Sequence, residues 1–137
     1  MRTQAQLPRL AGIGLPLFDE QCEDLAAAIE LLDLNPLHSL ASEVFISRFC
    51  VLRDAIERLF RHEEALLSQY RLPAETRRLH GDDQRRIRRI LDDIHADAMN
   101  RKNRTAIEVY ETLRFEIERH VSDFGDDLSR HIPVAKH

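Results

Sequence analysis

The sequence predicts an all-α protein, an up-down-up-down antiparallel four-helix bundle with an N-terminal arm. Leu, Ala, Glu and Arg, all good helix formers, dominate the chain. Apolar residues recur at spacings of three and four, and strand-like alternation is absent. Glycine and proline are scarce, 4 and 5 in 137 residues; Pro36 and Pro73 fall between periodic segments and Pro133 past the last one, where they act as breaks.

Residues 1–17 read as the arm, with Pro8, Gly12, Gly14 and Pro16. Asp19 is placed to cap a first helix reaching about Leu34, because its carboxylate can accept an orphan N–H of the first turn. Cys22, Leu25, Ala26, Ile29 and Leu32 share its inner face, and Asn35-Pro36 breaks it. Ser39 or a neighbour opens a longer second helix to about Tyr70, with Val44, Phe49, Leu52, Ile56, Leu59, Glu63 and Leu66 inward. Pro73 ends that segment and suits the first turn of the next helix. The third helix runs from about Ala74 to Met99 with His80, Gln84, Ile87, Leu91 and Ile94 in one stripe. After a turn at Asn100 to Asn103, the fourth runs from about Thr105 to Arg130, with Leu113, Ile117, His120, Phe124 and Leu128 inward. Helices joined by short turns pack as antiparallel neighbours. The bundle spans residues 18–132, with no internal repeat and no second domain.

The 24 acidic and 20 basic side chains leave a formal charge of −4, which gives no push toward nucleic acid or an anionic membrane. Arg77, Arg78, Arg85, Arg86, Arg88 and Arg89 crowd the third helix. Asp82–Arg86, Arg85–Asp82, Arg88–Asp92 and Arg89–Asp93 are helix neighbours, and no aromatic residue interrupts the run, so a solvated charged face is expected rather than a nucleic-acid surface. No apolar run approaches the roughly 18 residues of a membrane span. Met1 to Gln6 contains no apolar h-region, so no secretion signal is expected. Cys22 and Cys50 make no disulfide framework, which fits a cytoplasmic protein. A phosphate-binding loop and a nucleophile elbow are both missing, and the chain is expected not to be an enzyme.

The most informative feature is Glu63. It falls on the apolar stripe Ile56, Leu59, Phe60, Glu63, Leu66, Leu67, Tyr70, so the helix aims a carboxylate at its own core. Burying that group is costly unless it meets a cation, a metal or a hydrogen-bond partner. Cys22, His80 and His120 are inward polar groups on the other three helices, and in an up-down bundle all four lie toward one end. Two imidazoles and a carboxylate suit Zn(II) or non-haem Fe(II). An imidazolium paired with Glu63 would satisfy the same groups without metal. Cys22 is open to two readings, a thiolate ligand or redox thiol and a small core hydrophobe. His62 is one position from Glu63, about 100° around the helix, and is expected near the surface or a helix boundary.

Four stretches in order resemble the bacterial hemerythrin family. Gly12 to Cys22 is similar to the family's arm followed by Asp-Glu-Gln-His, and Glu63-Glu64-Ala65-Leu66-Leu67 with Tyr70 and Pro73 to its Glu-Glu-x-Leu-Met…Tyr-Pro. His80-Gly81-Asp82-Asp83-Gln84-Arg85-Arg86-Ile87 resembles its His-x-x-x-His-x-x-Phe, and Ile117-Glu118-Arg119-His120-Val121 its Trp-Leu-x-x-His-Ile. The resemblance implies a four-helix bundle built around two bridged irons that bind dioxygen. The departures are at the ligands. Cys22, Leu59 and Gln84 stand where the family has histidines, and Gly125 where it has an aspartate. Asp123 and Asp126 are near that last position but at the wrong angle. Glu63, His80 and His120 match, with Gln84 and Cys22 as marginal donors. A complete di-iron centre is therefore not expected. The resemblance points to an eroded member acting as a sensing or interaction module, or holding one iron or zinc ion. The alternatives are a functional metal-dependent dioxygen or nitric oxide binder and a thiol-based redox protein using Cys22. Expected partners are a metal ion, a small gas ligand, and a second copy or another protein.

Overall fold

A computed structural model describes residues 15–32, 43–100 and 105–131. They form α1 (Pro16–Leu31), α2 (Glu43–Gln69), α3 (Ala74–Met99) and α4 (Ala106–His131), with no strand among the described residues. No helix among them is long and apolar enough to cross a membrane.

The helix ends follow local chemistry, in part differently from expectation. Most of the expected arm, residues 1–14, lies outside the described residues, and α1 already begins at Pro16. Proline suits a first helical position because the N–H it lacks has no intrahelical partner there. Asp19 is thus not the cap: it sits inside the first turn, its N–H donating to the Leu15 carbonyl at 2.9 Å, and Leu15 offers no side-chain cap. The expected extension to Leu34, the Asn35-Pro36 break and the start at Ser39 also fall outside the described residues. α2 closes with Arg71 in the left-handed region at φ 53°. There the Leu72 N–H donates to the Leu67 carbonyl (3.1 Å) and the Arg71 N–H to that of Ser68 (3.2 Å), the two bonds of a Schellman closure. Pro73 then occupies the N-cap of α3 rather than its first turn. Thr105 and Glu108 open α4 as a capping box: the Glu108 N–H donates to Thr105 Oγ1 (3.2 Å) and the Thr105 N–H to Glu108 Oε1 (2.8 Å).

One core joins the four helices, with Phe18, Phe45, Phe60 and Phe124 its largest fully buried side chains. The expected inner row of α2 needs one correction. Val44 is 45% exposed and Phe45 0%, because the row runs through 45, 49, 52, 56, 59 and 63 and Val44 is turned about 100° away from it. On α1, Ala28 is buried and Ala26 only half-buried.

α1 packs against α2 and α4, and α3 against α2 and α4. His62 meets Gln21, and Arg48 donates to the Leu31 carbonyl. Arg88 binds Glu57 through two guanidinium nitrogens at 2.9 Å, and Arg53 pairs with Asp92. Arg86 pairs with Glu116, Phe18 packs on Phe124, and Tyr110 donates to Glu30. The α3 arginines pair along their own helix, Arg78 with Glu75 and Asp82 and Arg85 with Asp82, and across helices, Arg86 with Glu116 and Arg88 with Glu57. Arg88 takes Glu57 and Asp92 takes Arg53 instead of each other, while Asp82 is held by Arg85, as the spacing predicts, and by Arg78 rather than Arg86.

Candidate functional site

Among the described residues, the buried polar ones are Glu63, His80, Gln84 and His120. Each lies on the apolar stripe of its helix, so the periodicity that builds the core also carries these groups inward. Glu63 comes from the last third of α2, His80 and Gln84 from the first turns of α3, and His120 from the second half of α4.

His120 is the centre. Its Nε2 lies 2.8 and 3.0 Å from the two oxygens of Glu63, and its Nδ1 lies 2.5 Å from Asp83 Oδ2. A carboxylate only accepts, so both ring nitrogens donate and the ring is an imidazolium. Burial opposes that charge, but Glu63 and Asp83 outweigh it and raise the His120 pKa from 6.5 to about 9. Gln84 Nε2 donates a further hydrogen bond to Glu63 Oε1 at 2.9 Å. Glu63 is 0% exposed, so these donors replace its water.

Asp83 anchors the layer to the surface. Burial favours its neutral form, yet hydrogen bonds from His120 and Arg119 prevail and hold its carboxyl well below the usual carboxylate range. Arg119 donates to it at 2.7 Å and also to Glu116 at 3.2 Å. Phe60 packs against the His120 ring at 5.0 Å, with the Arg88 guanidinium 5.1 Å from the Phe60 ring centre.

His80 stands beside this triad without bonding to it. Its ring centre is 6.0 Å from that of His120, and its Nε2 bonds Asp127 Oδ2 at 2.9 Å. Phe124 packs edge-on against it at 5.0 Å, and Arg130 donates to Asp127 at 2.8 Å. Cys22 is buried and makes no bond to the layer, but it feels its charge. Burial first, then Glu63, Asp19 and Glu23, push its thiol up to about 12, so neither a thiolate ligand nor a thiolate nucleophile is favoured at neutral pH. His62 lies where α2 meets α1, in keeping with a place near the surface or a helix boundary. It is half-buried, its Nδ1 bonds Gln21 Oε1 at 2.8 Å, and its ring meets Phe18; burial lowers its pKa, against a smaller opposing effect of Glu63.

Among the expected residues, Glu63, Gln84 and His120 meet directly, His80 is adjacent and Cys22 is peripheral. Asp83, Asp127 and Arg119 were not foreseen. Asp127 follows His120 by seven residues, close to two turns, and that spacing could have found it. Asp83 had no comparable signal, since it lies off the apolar stripe of α3. A cleft of about 280 Å³ opens over His80, Asp83, Arg119 and Asp127, and another of about 250 Å³ reaches Gln84 between Glu64 and Arg77.

The resemblance implies a di-iron centre, and the donor chemistry tests it. Leu59 has no donor, and Gly125, buried on α4, has no side chain to offer. His120, protonated on both nitrogens, has no lone pair for a metal. No group of three or more His, Cys, Asp or Glu side chains among the described residues is arranged to hold a metal ion. The residues as placed do not fit that centre. Comparison with known protein families, curated proteins and solved structures returned no match.

Proposed function

We propose that this chain is a hemerythrin-like, up-down-up-down antiparallel four-helix bundle that works without metal, as a non-enzymatic interaction or sensing module. The topology is supported by the order of cross-helix contacts. Along α2, residues 53, 57 and 63 meet 92, 88 and 84 of α3, and along α4, residues 116, 120 and 127 meet 86, 83 and 80. α1 runs likewise against α2, through Gln21–His62 and Leu31–Arg48.

One observation carries the functional reading: the imidazolium of His120 sits between Asp83 and Glu63 where the resemblance would put a metal ligand. A proton-borne charge on His120 supplies what a metal ion would supply to Glu63, and Gln84 completes the carboxylate's bonds. The layer then holds α2, α3 and α4 together and leaves no open position for a gas ligand. A cytoplasmic setting accords with two cysteines that are free, one buried and one exposed.

Metal analysis of protein purified without chelator tests this. Wild type and a His80→Ala/His120→Ala double variant should both carry iron and zinc far below one per chain. One metal per chain in the wild type, lost in the double variant, would restore the single-metal reading. Near-ultraviolet charge-transfer absorption after iron loading would favour the dioxygen or nitric oxide binder.

A further inference from the structure

We infer that the cleft at Gly81, between α2 and the first turns of α3, is a binding site for a free α-amino acid. This rests on the sensing-module reading and gives the sensed compound a chemistry.

The cleft is a gap in the α2–α3 seam. Further along, Arg88–Glu57 and Arg53–Asp92 close that seam. Glu64, Leu67 and Ser68 on α2 and Arg77, Gly81 and Gln84 on α3 follow spacings of three and four, so each set shares one face of its helix. Together they line a space of about 250 Å³. Gly81 makes the opening. It lies inside α3, where glycine destabilises a helix relative to alanine. A Cβ there would meet the Arg85 guanidinium at 3.7 Å, an ordinary contact, so crowding does not demand glycine. What a larger side chain would remove is the cleft itself.

The polar groups that line it are left without partners. Gln84 is 2% exposed. Its Nε2 donates to Glu63, and its Oε1 accepts no hydrogen bond from the described residues. Among those residues Asp19 Oδ1 is the one sealed side-chain polar atom lacking a partner, so Gln84 Oε1 is open to the outside, and Gln84 lines this cleft. At the rim, Glu64 and Arg77 are exposed and pair neither with each other nor with another charged group among the described residues. Arg78, Arg85 and Arg88 of the same helix are each held by a carboxylate.

The site thus offers an acceptor inside, an anion and a cation at its mouth, and the apolar side chain of Leu67. An α-amino acid complements all of these. Its ammonium donates to Gln84 Oε1 and Glu64, its carboxylate accepts from Arg77 and the Ser68 hydroxyl, and its side chain lies on Leu67. A simple anion leaves Glu64 and Gln84 Oε1 unmatched, and a simple amine leaves Arg77 unmatched. The space is below the roughly 300–1,000 Å³ of sites for drug-sized ligands, which suits a molecule this small.

The test is isothermal titration calorimetry of the full chain with L-alanine, L-serine, L-valine and L-leucine. At least one should bind saturably, one per chain, and raise the Tm. Its N-acetyl derivative, which lacks the ammonium, and its amide, which lacks the carboxylate, should each bind at least about tenfold more weakly. Glu64→Gln and Arg77→Gln, both at exposed positions, should each weaken the amino acid by a similar factor. Gly81→Leu should abolish binding while keeping or raising the Tm of the free protein, since leucine is the better helix former. Phe115→Ser, at an exposed ring on α4, should change nothing. Far-ultraviolet circular dichroism checks each fold, with Gly81→Met replacing Gly81→Leu if that variant loses helix. The proposal is overturned if none of these amino acids binds, or if the variant with the filled cleft binds as wild type does. It is also overturned if acetate or methylamine binds as tightly as the amino acid, which would make the cleft a site for a single charge. Metal content is measured on the same samples. Metal-free protein that binds no amino acid refutes the cleft alone, and metal-loaded protein that binds one through Gly81 refutes the metal-free reading alone.

Discussion

Replacing His120 by leucine isolates the buried ion pair. The substitution keeps an apolar side chain against Phe60 but leaves Glu63, which is fully buried, without its cation. Removing one partner of a buried pair costs about 3–5 kcal/mol. The lower end applies here, because Gln84 still donates to Glu63 and Asp83 keeps Arg119. A loss of about 3 kcal/mol, with a urea slope of about 2 kcal/mol per molar, moves the unfolding midpoint down by about 1.5 M. The pKa gives a second route to the magnitude. His120 rises from 6.5 to about 9 on folding, worth about 3 kcal/mol at roughly 1.4 kcal/mol per unit.

The sign of that shift fixes the pH profile. Below pH 6.5 the ring is protonated folded or unfolded, so the stabilisation is complete. It declines as pH rises through 6.5 and is gone above about 9, where the folded ring also loses its proton. Urea titrations of wild type and His120→Leu from pH 6 to 10 should therefore show a gap of about 3 kcal/mol at the acid end that closes at the alkaline end. Titrations common to both proteins cancel in the difference. A gap that stays flat across this range, or one below about 1 kcal/mol at pH 6, would refute the imidazolium assignment.

Arg71 sits at φ 53° in the closure of α2 and is exposed; Arg71→Gly should stabilise by up to about 1 kcal/mol, read as a raised Tm. Thiol labelling at pH 7.5 should modify the exposed Cys50 readily and reach Cys22 only on unfolding, because burial and neighbouring acids push its thiol up to about 12. Asp83→Asn should destabilise at neutral pH. It should also reduce the acid-limb loss below about pH 4, since a depressed carboxylate gives stability above its unfolded pKa that vanishes as pH falls. Phe124→Ala removes a fully buried ring that packs on both Phe18 and His80; a loss of about 3–5 kcal/mol in urea melts is expected.

The interiors of the helices were legible because burial follows the helical repeat. His80, Gln84, Ile87, Leu91 and Ile94 are all buried, as are Leu113, Ile117, His120, Phe124 and Leu128. The ends were less so: the choice between Val44 and Phe45 is a single step of rotation, and Pro16 could begin a helix as well as interrupt one. Glu63 on an apolar stripe announced that a positive charge or donor must meet it, since a bare carboxylate could not be buried. The nature of that charge was not legible, because it depends on what lies behind His120. With Asp83 at Nδ1, the ring is held as a cation and donates to Glu63; with Nδ1 bonded to a neutral carbonyl, the same ring could present a lone pair at Nε2. Asp83 is off the stripe and reaches His120 only across α3 and α4. A carboxylate invisible to periodicity thus decides whether the buried imidazole of His120 holds a proton or offers a lone pair.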